Sequence, residues 1–147
     1  MRATIPSTVI LAIASSACGM ASAASPSDVK PPGCAWPQST DAVTAAPDNH
    51  HVLLENDQVR VLDVIVPPHT KEPVHAHCSP SVLYIIEASA FIDHDANGKV
   101  LLDTRDLETP LTFPMTMWKA PEAPHSVENL SDKPLHLIRI ELKPQAR

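Results

Sequence analysis

From His50 onward the chain is a succession of apolar runs too short for helices and too regularly interrupted to join. HVLLEN, QVRVLDVIVPP, PVHAH, SVLYIIEAS, AFIDHD, KVLLD, LTFPMTMWKAP, HSVENL and LHLIRIELK are all of strand length, rich in β-branched residues and bounded by Pro, Asn, Asp or Ser. No segment from 50 to 143 carries a convincing helical period, and no internal repeat, P-loop, GxGxxG or GxSxG motif is present. This spacing predicts an all-β antiparallel barrel or sandwich. Asn97-Gly98, inside DANGK, predicts a tight hairpin between two of the runs. In the last run His136, Ile138, Ile140 and Leu142 share one face and Arg139 and Glu141 the other, which predicts that the first set packs and the second is wet.

The sequence ahead of the strands divides in two. Residues 1–24 have one charge at Arg2, an apolar run from Ile5 to Ala17 and then Ala21-Ser22-Ala23, the pattern of a secretory signal peptide cleaved near Ala23 or Ala24. Cys18-Gly19 offers a lipoprotein alternative, although Ser15 stands where such signals usually have a larger aliphatic residue. Residues 25–49 are rich in proline and small residues and read as a linker or an arm lying on the domain 50–143, with 144–147 a short tail. A periplasmic or secreted location follows, and no later segment approaches the ~20 apolar residues of a membrane helix. Without its leader the chain has 10 Lys+Arg against 17 Asp+Glu, an acidic balance without basic runs that argues against nucleic acid and anionic membranes as partners. Only Cys34 and Cys78 would survive cleavage, and the readings of a bridge between them and of two separate cysteines both stay open.

The chemistry starts in PVHAHCSPSVLYI. His75 and His77 alternate past Ala76, so an extended strand projects both imidazoles from one face. Pro73, His75-x-His77, Ser81 and Tyr84-Ile85-Ile86, followed about forty residues later by Pro124-His125-Ser-Val-Glu-Asn129, resemble the two motifs of the cupin superfamily over residues 50 to 143. The resemblance implies a small jelly-roll-like antiparallel β-barrel holding one divalent metal. His75, His77 and His125 fall on its three histidine positions, and Asn129 on an asparagine that often follows the third. The chain departs from the pattern at Ser81, which occupies the position of the metal-binding glutamate. His69 and Glu122 stand where glycines are usual.

Imidazole is the commonest side-chain ligand for zinc, copper, nickel and iron, and three of them leave positions open for water or substrate. A neutral three-histidine shell keeps the full charge of the ion, which favours a small anionic, chelating molecule. Ser81 can reach a metal-bound water but not replace a carboxylate. Glu72, Glu87 and Glu122 are candidate replacements, each read first as a surface residue, with Glu122 foremost because it lies three residues before His125. Trp118 and Met117 are expected in the pocket wall or core, whereas His50, His51, His69, His94 and His136 read as exposed or structural. Cys78 should point away from His77.

The expectation is an exported protein with a three-histidine metal site that binds or acts on a small anionic molecule. An enzyme would be dioxygenase-, isomerase- or lyase-like, and the alternative is a non-catalytic binding module with a vestigial site. Loading outside the cytoplasm favours zinc or copper, with iron or manganese left open. A homodimer is compatible with the resemblance.

Overall fold

The structure is a computed structural model and describes residues 33–144, so the expected leader and its cleavage site lie outside the described residues. Among the described residues nine strands form, one for each apolar run: β1 His50–Glu55, β2 Val59–Val66, β3 His75–His77, β4 Ser81–Glu87, β5 Phe91–Asp95, β6 Val100–Asp103, β7 Met115–Lys119, β8 Glu122–Asn129 and β9 Leu135–Leu142. They pair antiparallel in two sheets, of order β1-β2-β9-β4-β7 and β3-β8-β5-β6. The all-β expectation holds. Asn97-Gly98 makes the β5–β6 turn, with Gly98 at φ 83 and Asp95 accepting from the backbone N–H of Asn97 and Lys99. His69 has φ 55, so the usual glycine position does demand a left-handed backbone, here taken by a histidine whose Nε2 meets Asp132 at 2.7 Å.

Cross-strand register explains what the interior contains. Four rows cross the inner face of the larger sheet: Arg60–Glu141–Ser81–Lys119, Leu62–Arg139–Leu83–Met117, Val64–Leu137–Ile85–Met115, and Val66–Leu135. The barrel is therefore apolar at one end and charged at the other. Leu62, Val64, Val66, Leu83, Ile85 and Leu135 are buried, each contributing roughly 1.5–3 kcal/mol by leaving water. The expected faces of β9 are inverted: Arg139 and Glu141 are 4% and 2% exposed, while Leu142 is 37% exposed. The outer face is apolar as well, with Leu54, Val61, Ile140, Val82 and Trp118 in register across all five strands. Apolarity therefore did not mark the inside of β9.

The arm packs on this frame. Asp41 caps the short helix α1 (Ala42–Ala45) by accepting from Val43 N–H, bridges to Ala76 of β3, and takes two hydrogen bonds from Arg60 at 3.0 and 2.7 Å. Ala42 and Ala46 are fully buried. Cys34 and Cys78 form a disulfide that ties the arm to the residue after His77. The bridge closes 44 residues, for which unfolded-chain entropy gives a stabilisation of about 4 kcal/mol. A Cys34→Ser/Cys78→Ser protein should lose about that much in urea unfolding, and an unchanged midpoint would show that the bridge does not constrain the unfolded chain.

Candidate metal centre

β3 supplies His75 and His77, both 1% exposed and on one face as the alternation requires. β8 lies antiparallel to it and places His125 opposite His75. Their ring centroids are 4.9 Å apart for His75–His77, 4.7 Å for His75–His125 and 5.8 Å for His77–His125. A fourth imidazole, His50 from the start of β1, lies 4.5 Å from His75 and 5.4 Å from His77. Two triads of potential ligand atoms result, His50–His75–His77 and His77–Glu122–His125, each with its atoms within 4.8 Å of one another. His77 belongs to both.

Each of the four rings is held by Nδ1. His50 Nδ1 lies 3.2 Å from the Ala46 carbonyl and His75 Nδ1 lies 2.9 Å from the Pro73 carbonyl. His77 Nδ1 is 2.8 Å from Glu141 Oε1, and His125 Nδ1 is 3.0 Å from Asp93 Oδ1. A carbonyl or carboxylate oxygen can only accept, so Nδ1 donates, and in a neutral ring Nε2 then keeps its lone pair. This is how metal-binding histidines are oriented, the outer partner fixing both tautomer and ring plane. His125 Nε2 is buried without a hydrogen-bond partner, so these residues fit a metal ion. Burial lowers the His50 pKa to about 4 and that of His75 to about 3, and holds His77 well below the usual imidazole range, so these three are neutral ligands near pH 7.

Carboxylates complete the electrostatics. Glu141 takes hydrogen bonds from His77 and, at 2.6 Å, from Arg60 Nε, which links the site to Asp41 in the arm. Glu122 is opposed by burial, but Arg139 and Lys119, each at 2.7 Å, hold its carboxyl down to about 2. Glu72, read from the sequence as a surface residue, is 5% exposed, and burial raises its pKa to about 7. Its Oε1 accepts from Val127 N–H and lies 3.9 Å from His75 Nε2, and its Oε2 has no partner. Glu87 is not part of the site, pairing with Lys133 instead.

Three expected neighbours take other parts. The Ser81 hydroxyl donates to the Ser79 carbonyl at 3.1 Å, and the carboxylate beside His77 comes from Glu141, its partner across the strand pair. Asn129 is a clamp on chain turns, its Nδ2 donating to the carbonyls of Val66, Pro67 and Lys133. Trp118 is 58% exposed, because β7 alternates and gives its inward positions to Met115, Met117 and Lys119. His69, His94 and His136 each pair with a nearby carboxylate away from the cluster, and His51 is exposed. Sequence reasoning missed His50, Asp93, Arg139 and Glu141. The only signal in the sequence was the pair of charges alternating within β9.

The four imidazoles, with Glu72, Asp93, Glu122 and Arg139, line one end of a cavity of about 120 Å³ whose other walls are apolar, among them Leu83, Ile85, Phe91 and Met115. That approaches the roughly 150 Å³ of a cavity known to admit benzene. Among the described residues no helix is long and apolar enough to cross a membrane.

No protein-family model and no curated protein matches the sequence. Solved structures do. A cupin domain from Bordetella pertussis Tohama I superposes with a TM-score of 0.53 at 22% identity, covering 65% of this chain and 92% of that one. An RmlC-like cupin family protein from Methanocaldococcus jannaschii, of double-stranded β-helix fold, gives a TM-score of 0.48 at 12% identity over 64% of this chain and 78% of its own. At 18% identity, a Klebsiella pneumoniae protein with a double-stranded β-helix domain gives 0.46 over 67% of this chain and 76% of its own. The two facing antiparallel sheets, the paired motifs on β3 and β8 and the Bordetella superposition agree, and the fold is that of a cupin domain.

Proposed function

We propose that this chain is an exported cupin-fold protein that holds one divalent transition metal on its buried imidazoles and takes a small anionic molecule into the cavity beside it. The observation that carries this reading is the shared tethering of four imidazoles through Nδ1, together with the unpartnered Nε2 of His125. Export is supported by the leader-like residues 1–24 and by the Cys34–Cys78 pair, which suits an oxidising compartment. A metal loaded there follows the intrinsic order of affinity for nitrogen ligands, which favours copper or zinc over iron or manganese.

His77 would hold the ion together either with His50 and His75 or with His125 and the Glu122 carboxylate. A bound ion supplies Lewis acidity toward an oxygen of the ligand. The chain's own groups do the rest: Asp93 and Glu141 orient two of the rings, the apolar wall excludes water, and Glu72 lines the cavity as a carboxyl able to hold or accept a proton near neutral pH. Protein purified from the envelope of its native cell should contain about one equivalent of zinc or copper by elemental analysis, and His77→Ala protein far less. Native protein free of metal would overturn the reading.

A further inference from the structure

Arg139 has donors that the fold leaves unused. It is 4% exposed and sits on the inner face of β9 between Leu62 and Leu83, at the boundary of the charged and apolar ends of the cavity. Its Nη1 donates to Glu122 Oε2 at 2.7 Å, its Nε lies 3.6 Å from Glu141 Oε1, and Nη2 has no hydrogen-bond partner. Buried guanidinium donors are normally satisfied, so an unpartnered edge on a residue that lines the cavity marks a place for an acceptor that arrives with a ligand. Neither neighbouring carboxylate depends on Arg139 alone, since Glu122 also meets Lys119 and Glu141 also meets Arg60. The guanidinium is thereby left able to serve a third anion.

We infer that Arg139 anchors the carboxylate of a small monocarboxylate whose hydrocarbon part lies along Leu83, Ile85, Met115, Met117 and Leu137. This names the ligand class of the site and rests on the reading of the cavity as an anion pocket. One free edge suits one carboxylate group. A phosphate dianion would need more donors than this edge offers and would bring a second negative charge beside Glu122 and Glu141. The apolar walls explain why the ligand carries an uncharged body, because a second charge there would be desolvated without a partner.

Butanoate and butanamide have the same shape and differ at the group Arg139 would read. In titrations of the full-length secreted protein followed by NMR, butanoate should bind at least tenfold more tightly than butanamide, and the preference should persist after the metal is removed with a chelator. Arg139→Lys keeps a cation beside Glu122 and Glu141 but removes the second donor edge. In folded Arg139→Lys protein the preference should fall to about threefold or less. Equal binding of the two probes by the unaltered protein, or an unchanged preference in folded Arg139→Lys protein, would overturn the inference. A preference that vanishes on chelation would place the carboxylate on the metal, overturning this inference and leaving the metal reading intact. A preference that persists in protein that never retains metal would do the reverse.

Discussion

His77→Ala protein is expected to lose metal affinity by at least about 100-fold, more than any other single histidine replacement. Removing an outer hydrogen-bond partner of a ligand typically costs 10- to 100-fold, and removing the ligand itself costs more. His77 is the only residue common to the two triads, His50–His75–His77 and His77–Glu122–His125. His50→Ala leaves the second triad whole and should therefore cost less. Chelator competition on each purified variant, with circular dichroism confirming the β-barrel, gives the two dissociation constants. If His77→Ala protein retained metal as tightly as the unaltered protein, the ion would not be held where β3 and β8 meet.

How much of this was legible follows from how local each signal is. The strands were readable because each run is bounded by its own turn residues, as Asp95 to Lys99 illustrate with side chain, backbone and Gly98 all favouring the same hairpin. His75 and His77 were readable from the period of a strand, and His125 from the resemblance that the fold now supports. His50 was not, because its place depends on pairing with Val64 of β2 and on a turn of the arm that brings the Ala46 carbonyl to its ring, and neither the pairing nor the turn is marked in the local sequence. Glu72 was misread for a similar reason: its burial comes from the antiparallel contact of its loop with β8, through Val127. Ser81 was the most instructive case. The resemblance located a missing carboxylate at that position, and the register puts Glu141 directly across from it, donating nothing to the local motif but holding His77 at 2.8 Å. The same register inverted the reading of β9, where apolar Ile138, Ile140 and Leu142 face outward and the charges face inward. Polarity inside a barrel is stable only where each charge meets a partner, as Arg60, Glu141, Glu122 and Lys119 do.

Metal-free protein should lose stability steeply as pH falls from 6.5 to 4.5, by an amount on the order of 5 kcal/mol, a large part of a typical domain's total. Burial sets His50 to about 4 and His75 to about 3 in the folded protein, against 6.5 when unfolded, and holds His77 well below 6.5. Below 6.5 the unfolded chain therefore binds up to three protons that the folded one refuses, and acid favours unfolding. Glu72 acts in the opposite sense. Burial raises it from 4.5 to about 7, so within this window the folded protein holds one proton that the unfolded chain lacks. Each proton of difference changes stability by ~1.4 kcal/mol per pH unit, so three histidines opposed by one carboxyl leave a net of about two protons favouring the unfolded state. Urea unfolding of chelator-treated protein at pH 7, 6, 5 and 4.5 measures the slope directly. His50→Gln should reduce it by about one proton, while Glu72→Gln should increase it by about one. A flat profile across the window would mean that His50, His75 and His77 are reached by water and carry protons in the folded state, and rings in that condition could not present bare Nε2 atoms to a metal.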